Sequence, residues 1–360
     1  MLVMISWNTI PTPDEDLKME ETVSVIIPVR NEEANIRMLL EDFQNQDYPQ
    51  DRFNVIVMDD GSTDQTANIV NEITEKVSYS IIYVLNTGSY NNITWNGKKS
   101  MIMQAVGISK ASIILQTDGD CRVGPKWISV LAASFKDPKI QFLTGPVIYK
   151  YQNGNYHQML QMDLAGLIVS SAAMINLNLP VMASGACMAY RKETFEDLGG
   201  YKSNLDYSSG DDSFLMHAVS KNYPGSIKFI KNTEAVSYTV APGSWTDFYN
   251  QRIRWAGKWN YHQNSTIKIL AIFIFLVHLS FLAILFWAIL SSEYVLLIFM
   301  LTARMLLEGS ILASWYKLFK LKLNIPLFLL ASLMYSFYAV FFGILANTST
   351  FTWKGRKYNK

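Results

Sequence analysis

Cysteine is nearly absent from this chain of 360 residues, with two, and histidine is scarce, with four. Two cysteines exclude a disulfide scaffold and fit a reducing compartment. Neither cysteine lies in a C-x-x-C, and no H-E-x-x-H is present. The histidines at 157, 217, 262 and 278 have no metal-ligand spacing, so zinc chemistry is disfavoured. No G-x-G-x-x-G follows the first apolar run, which weakens a hydride-transfer reading. Gly97-Lys98-Lys99-Ser100 resembles only the end of a P-loop, because position 92 is Asn and the serine comes one residue late. Charged residues are sparse at 17%, and the net charge of +1 gives no footing for nucleic acid. The composition also excludes a disordered chain, a collagen-like repeat and a coiled coil.

What is abundant is apolar: half of the chain. Its distribution is uneven. Residues 267–360 carry nine Lys or Arg against Glu293 and Glu308, a net of +7, which leaves −6 for residues 1–266. A split of this kind marks a boundary. Beyond it lie three apolar runs, Ile269–Leu290, Val295–Trp315 and Ile325–Ala346. About 20 apolar residues cross a bilayer as a helix. The alternative for each is a helix buried in a large soluble domain. The middle run contains Arg304 and Glu308, which an i, i+4 spacing places on one helical face, where they can pair and point into protein. Lys258 and Lys268 precede the first run, and Lys317, Lys320 and Lys322 follow the second, so both clusters are expected on the cytoplasmic side. A third crossing puts Lys354, Arg356, Lys357 and Lys360 on the far side, against that rule. Either the third run is re-entrant or the tail is an exception. Met1–Trp7 is apolar but too short for a signal peptide, and is compatible with the remnant of an upstream span.

The first 266 residues alternate between two periods. Thr22–Val29, Phe53–Met58, Ile81–Leu85 and Ala111–Thr117 read as strands. Asn31–Asn45, Asp64–Lys76 and Lys98–Ser109 read as helices, the second capped by Ser62 and Thr63. This order predicts an α/β domain with a mainly parallel sheet covered by helices, and ligands bind beyond the carboxyl ends of such strands. Asp59-Asp60-Gly61-Ser62-Thr63-Asp64 and Asp118-Gly119-Asp120 both fall at strand carboxyl ends, hence in one crevice.

Asp118 and Asp120, spaced i, i+2 around a glycine, can aim two carboxylates at one hard cation, Mg²⁺ or Mn²⁺, that keeps positions for phosphate oxygens. A polar turn is the plain alternative. Gly210-Asp211-Asp212 precedes the helical run Ser213–Val219. Acids there are commonly helix caps. The sharper reading makes one a general base that takes a proton from an acceptor hydroxyl. Gln251-Arg252-Ile253-Arg254-Trp255 lies before the first apolar run, among Trp245, Phe248, Tyr249, Trp259 and Tyr261. It reads as an interfacial belt, or as cations that neutralise a diphosphate leaving group, with Trp255 stacked on a sugar or acceptor. Tyr156–Asn176 is an amphipathic, Met-rich stretch expected to pack in a core, or to present a lipid acceptor beside a membrane.

Taken in order, these residues resemble the membrane-anchored family 2 glycosyltransferases of the GT-A fold, and the related ceramide glucosyltransferases and cellulose and hyaluronan synthases. The matching elements are Val25-Ile26-Ile27-Pro28 with Asn31-Glu32-Glu33, the Asp59–Asp64 run, Asn96-Gly97-Lys98, Thr117-Asp118-Gly119-Asp120, Gly210-Asp211-Asp212, Gln251–Trp255 and the tail Thr352-Trp353-Lys354-Gly355-Arg356. The resemblance implies an N-terminal segment 1–21, a GT-A domain 22–245, an amphipathic segment 246–266, a membrane region 267–346 with about three helices, and a basic tail 347–360. It implies roles. Asp60, with Asp59 and Glu32 nearby, contacts the nucleobase, expected to be uracil. Lys98 lines the nucleotide pocket. Asp118 holds nucleotide, and with Asp120 the divalent ion. Asp212 is the general base, with Asp211 among the substrate-binding residues. Gln251, Arg252, Arg254 and Trp255 hold the diphosphate and the acceptor end. One position departs: related sequences often have Asn where this chain has Cys187.

The resemblance implies an inverting transfer of a sugar from a nucleotide sugar to a lipid or glycan acceptor at the cell membrane, with a multi-pass anchor and a cytosolic catalytic domain. A processive polysaccharide synthase shares the motifs, but three spans look too few to enclose a polymer channel. A non-catalytic binding or assembly module is disfavoured because Asp118, Asp120 and Asp212 are all present. A soluble nucleotide-sugar pyrophosphorylase needs neither the spans nor Gln251–Trp255.

Overall fold

The computed structural model describes residues 1–12, 21–86, 89–90, 93–94, 97–150, 152–202, 210–257, 265–345, 351–353 and 356–358. Asn96, Lys258, Trp259, Tyr261, His262, Lys354, Gly355, Lys360 and most of the acidic stretch before Glu21 lie outside the described residues. The elements run α1 (Leu2–Thr9), β1 (Val23–Val29), α2 (Ile36–Gln44), β2 (Phe53–Asp59), α3 (Thr66–Thr74), β3 (Ser80–Leu85), β4 (Ser89–Tyr90), β5 (Ile93–Thr94), α4 (Lys98–Ile108), β6 (Ile113–Gln116), β7 (Arg122–Val123), α5 (Trp127–Ala133), β8 (Phe142–Thr144), β9 (Val147–Tyr149), α6 (Asn155–Asn176), β10 (Met188–Arg191), α7 (Lys192–Asp197), α8 (Asp211–Asn222), β11 (Ile227–Phe229), β12 (Ser237–Thr239), α9 (Trp245–Gly257), α10 (Ser265–Leu290), α11 (Tyr294–Leu318), α12 (Ile325–Leu345), β13 (Phe351–Trp353) and β14 (Arg356–Tyr358).

The chain divides into two units. The first holds Ile5–Lys150 and Ser170–Val240, and contains the sheet. Strand order is β11-β8-β10-β6-β1-β2-β3. β1, β2, β3 and β6 are mutually parallel, as the alternation predicts, and β10 runs antiparallel to both β6 and β8. All seven residues of β1 are buried, which is why its sequence shows no polar alternation. β7, β12 and β9 form a second, three-stranded sheet.

Pro28 sits inside β1, where a central strand ordinarily excludes proline. β6 pairs with β1 only as far as Ile26, through Gln116. The Thr117 N–H still reaches the Ile26 carbonyl at 3.3 Å, so the even-numbered peptides of β1 face β6. At Pro28 that neighbour has already turned away, and the missing N–H costs no ladder bond. β2 continues along β1 to Val29–Asp59. The sheet therefore splits between β1 and β6, at the position where strand order reverses, and this is where α/β sheets bind ligands.

α2 buries Ile36, Leu39, Leu40 and Phe43, at the spacing read from the sequence. Asp42 on the same helix takes a two-pronged ion pair from Arg122 at 2.5 Å and the Val123 N–H at 3.1 Å, fixing the chain as it leaves Asp118–Asp120. The short apolar N-terminus is helical, and Trp7 is fully buried against Phe229 and beneath the Lys231 ammonium.

The second unit holds Met1–Met4, Tyr151–Val169 and Ala241–Lys360. Among the described residues four helices are long and apolar enough to cross a membrane: the three expected ones and α6. In α6, 56% of the apolar window is buried, against 6% in α10 and α11. The core packing expected of 156–176 from its sequence fits that difference. The polar groups inside α10–α12 find one another. Arg304 Nε donates to Glu308 Oε1 at 2.8 Å and Arg304 Nη1 to Ser336 Oγ at 2.6 Å. His278 Nδ1 lies 3.0 Å from the same hydroxyl, and Ser332 Oγ donates to Glu308 Oε2 at 2.5 Å. The i, i+4 pairing read from the sequence therefore exists, and it recruits both flanking helices.

Replacing Arg304 alone by Leu leaves the Glu308 carboxylate among apolar helices and is expected to destabilise the detergent-solubilised protein by about 3 kcal/mol. The double change Arg304→Leu, Glu308→Leu is expected to lose clearly less. Thermal unfolding of both variants checks this. A double change at least as costly as Arg304→Leu alone would show that the Glu308 carboxylate left behind is not what destabilises the single variant.

Candidate active site

The loops leaving β1 and β2 are laced together by their own side chains. The Asn31 N–H donates to Ser62 Oγ at 2.9 Å, and the Thr63 N–H to Asn31 Oδ1 at 2.9 Å. The Glu32 N–H donates to Thr66 Oγ1 at 2.8 Å, the Glu33 N–H to Asp64 Oδ2 at 3.1 Å, and the Gln65 N–H to Glu33 Oε2 at 2.9 Å. Asn31 adopts φ 52°, a left-handed conformation that asparagine tolerates better than most residues. Ser62 and Thr63 therefore do not cap α3 as the sequence suggests. Their groups are engaged by Asn31, and Asp64 Oδ1 accepts the Thr66 N–H at 3.0 Å instead.

Asp59 is buried, and its two oxygens accept the Ser62 N–H and the Tyr83 hydroxyl, each at 2.7 Å. Burial, and then the Asp59 carboxylate, hold the Tyr83 hydroxyl well above its ordinary pKa. Asp60 accepts from Asn86 Nδ2 at 3.0 Å, and Arg30 donates to the Asp60 carbonyl at 2.6 Å while standing 3.7 Å from its carboxylate. Glu32 is buried and accepts from Asn35 Nδ2 at 3.0 Å. Gly119 lies directly against it: a Cβ there would stand 2.9 Å from Val29 Cγ1 and 3.0 Å from Glu32 Cγ. The glycine between Asp118 and Asp120 thus serves the close approach of this turn to the end of β1.

Lys98, first residue of α4, joins the acidic segments. Its Nζ lies 2.7 Å from Asp118 Oδ1 and 3.3 Å from Asp211 Oδ2. Burial by itself lowers the pKa of such an amine. Asp118, then Asp211, reverse this and hold it above its ordinary value, so Lys98 stays charged. Gln116 Nε2 donates to Asp211 Oδ2 at 2.9 Å, and Gly185 leaves the space, since a Cβ there would reach 3.2 Å from Lys98 Nζ. Asp211 and Asp212 form the first turn of α8, where the helix dipole favours negative charge. Asp212 Oδ2 accepts the Gly185 N–H at 3.3 Å, and Oδ1 accepts the Ser213 N–H at 2.6 Å. Asp120 Oδ1 accepts from Thr239 Oγ1 at 3.3 Å, and Lys150 donates to the Asp120 carbonyl at 2.9 Å. The structure thus brings Lys98, Asp118, Asp211 and Asp212 together in one unit, with Asp120 one residue beyond Gly119. Among the described residues no three His, Cys, Asp or Glu side chains converge tightly enough to hold a metal by themselves.

Gln251, Arg252, Arg254 and Trp255 lie on α9, in the other unit. Arg252 is buried, ion-paired with Asp163 of α6, and its guanidinium stands 4.9 Å from the Phe248 ring centre and 4.4 Å from that of Trp255. Sequence reasoning missed Gln116, Gly185 and Ser213, and Arg30 and Asn86 at the carbonyl and the carboxylate of Asp60. Gln116 alone left a signal, a polar side chain in an otherwise apolar strand.

Cys187, the position that departs from related sequences, is fully buried. Its thiol donates to the Ala235 carbonyl at 3.3 Å, and a Cβ at Gly145 would meet its sulfur at 2.5 Å. Burial pushes the thiol up to about 12, and raises Cys121 as well. Both thiols therefore stay protonated at neutral pH. Neither is expected to react with maleimide at pH 7 until the protein unfolds, which labelling with and without denaturant checks. Gly119→Ala is expected to destabilise by about 1–3 kcal/mol through overpacking, whereas Gly124→Ala, with nothing within 4 Å of its Cβ, stays near neutral in thermal unfolding.

The profile of Glycosyl transferase family 21 matches residues 2–359. The chain is 28% identical over 255 residues to the probable glycosyltransferase YdaM of Bacillus subtilis, covering 69% of this chain and 58% of that protein. It is 23% identical over 237 residues to a beta-monoglucosyldiacylglycerol synthase of Nostoc sp., covering 65% and 48%. The chain thus spans about half to three-fifths of the length of these curated relatives. Among solved structures it is similar to the mannosyltransferase PcManGT from Pyrobaculum calidifontis, in complex with GDP-Man and Mn²⁺, with a TM-score of 0.59 and 19% identity over 93% of this chain and 92% of that one. That likeness shows the fold: a mainly parallel GT-A-type α/β domain followed by apolar helices. With the profile matched over nearly its whole length, the chain belongs to glycosyl transferase family 21.

Proposed function

We propose that this glycosyltransferase moves one sugar from a nucleotide sugar, expected to be a UDP-sugar, to a hydroxyl of a lipid or membrane-associated acceptor, with inversion at the anomeric carbon. The observation that carries this reading is the Lys98 ammonium held between Asp118 and Asp211, which puts a donor-side carboxylate and the adjacent Asp212 around one point at the split in the sheet. The acceptor class is supported by a relative named for a glucosyldiacylglycerol product and by four helices long and apolar enough to cross a membrane. We place the protein in the cell membrane as a multi-pass protein, with the sheet unit on the cytosolic side.

Asp212 takes the proton of the acceptor hydroxyl. The hydroxyl oxygen attacks the anomeric carbon as the bond from that carbon to the diphosphate oxygen breaks. The nucleoside diphosphate leaves on the opposite face, and the configuration inverts. The Gly185 and Ser213 N–H groups hold the Asp212 carboxylate in a fixed orientation for that transfer. Asp60, backed by Asp59 and close to Glu32, receives the base. The resemblance adds Gln251, Arg254 and Trp255 as residues expected to hold the diphosphate and the acceptor end; Arg252, on the same helix, is ion-paired with Asp163.

Asp118 and Asp120 suit Mg²⁺ or Mn²⁺ in kind. Both are hard oxygen donors, the Asp118 side chain is 38% exposed, and the neighbouring Cys121 stays protonated and does not compete. Among the described residues no third His, Cys, Asp or Glu joins them, so an ion held there would need further oxygen ligands from elsewhere. Bound there, such an ion neutralises charge that builds on the leaving diphosphate.

The test uses detergent-purified full-length protein with UDP- and GDP-sugars, Mg²⁺ or Mn²⁺, and lipid extract. Nucleoside diphosphate release is expected to require both metal and lipid. Asp212→Asn is expected to lower turnover by about 10²–10⁴-fold while nucleotide binding persists. Turnover by Asp212→Asn at the wild-type rate, or no release with any donor, would overturn the reading.

A further inference from the structure

Asp118 has two claimants. One is the divalent cation proposed above. The other is Lys98, whose Nζ lies 2.7 Å from Asp118 Oδ1 and is also tied to Asp211 at 3.3 Å. The ammonium is enclosed. Its side chain is 16% exposed, a Cβ at Gly185 would stand 3.2 Å from Nζ, and Gln116 donates to the same Asp211 oxygen that Nζ contacts. Two positive charges cannot share one carboxylate oxygen without strong repulsion, which an enclosed site screens poorly. A cation that takes Oδ1 of Asp118 as a ligand must therefore move the ammonium off that oxygen. Lysine suits such an exchange, being a compact charge on a flexible stem with three rotatable donors.

We propose that Lys98 is an internal counter-ion of Asp118 that is displaced when a divalent cation binds, and that the displaced ammonium moves to the diphosphate of the nucleotide, so that metal and nucleotide bind as a coupled pair. Provided Asp118 and Asp120 are the metal carboxylates, as proposed above, the consequences have opposite signs. Metal alone must break the Lys98–Asp118 pair and gains no substitute for it, so it binds weakly. Metal with a diphosphate gives the ammonium a new anionic partner, so it binds tightly. By linkage, the metal tightens the nucleotide by the same factor. A lysine that merely added positive charge near the site would instead weaken metal binding equally in both situations.

The experiment titrates Mn²⁺ into full-length protein in detergent, following loss of the free-ion paramagnetic resonance signal, with and without UDP or GDP. Lys98→Met is expected to bind Mn²⁺ alone about tenfold more tightly than the wild type, and to bind UDP or GDP more weakly in the presence of Mn²⁺. Lys98→Arg keeps a cation on Asp118 and is expected to leave Mn²⁺ alone weakly bound. Lys98→Gln, which keeps a donor for Asp211, replaces the methionine variant if that one does not fold. Unchanged Mn²⁺ affinity in the charge-removing variant, or equal tightening with and without nucleotide, would overturn the displacement while leaving the metal site standing. Absence of Mn²⁺ binding to the wild type, even with UDP and GDP, would instead remove the metal site itself.

Discussion

The parting of β1 from β6 is the constraint on which the site depends. Two parallel strands paired along their whole length would leave no crevice. Here β6 stops pairing at Gln116, while β1 runs on beside β2 for three more residues. Pro28 stands at the level where the partner is gone, and it denies any replacement strand an N–H on that side. Several of the candidate carboxylates follow the strands beside the gap: Glu32 after β1, Asp59 and Asp60 at the end of β2, and Asp118 and Asp120 after β6.

Around this gap the protein keeps several carboxylates close together. Their mutual repulsion is offset locally and unevenly. Asp59 accepts hydrogen bonds from a backbone N–H and the Tyr83 hydroxyl. Asp60 stands beside a guanidinium, Arg30. Asp118 and Asp211 share one lysine. Asp212 has backbone donors and the dipole of α8. A carboxylate held by fixed dipoles keeps its geometry, whereas one held by a flexible ammonium can change partners.

Much of this was legible in the sequence because the relevant elements are local. The four parallel strands appear within two residues of where their apolar runs place them, and the acidic clusters fall at their carboxyl ends. The reversed strand β10 was not visible, since its direction depends on pairing with β6 and β8 rather than on its own four residues. The caps of α3 were misread because Ser62 and Thr63 bond to Asn31, some thirty residues away, and no local rule sees that. Gln116 and Gly185 escaped for the same reason: each matters only through Asp211 or Lys98, which distant parts of the chain deliver. Asp163 gave no hint that it pairs with Arg252, although both charges lie in stretches that read as amphipathic.

The Arg304–Glu308 pair bears on how the chain is assembled. A helix carrying both charges partitions poorly into an apolar phase on its own. The groups that complete their hydrogen bonds, Ser332 and Ser336, lie on α12, which is synthesised afterwards. α11 therefore gains its full stability only when its successor emerges, and the two helices have reason to pack as a hairpin. The short turn between Leu318 and Ile325 leaves little slack for any other order.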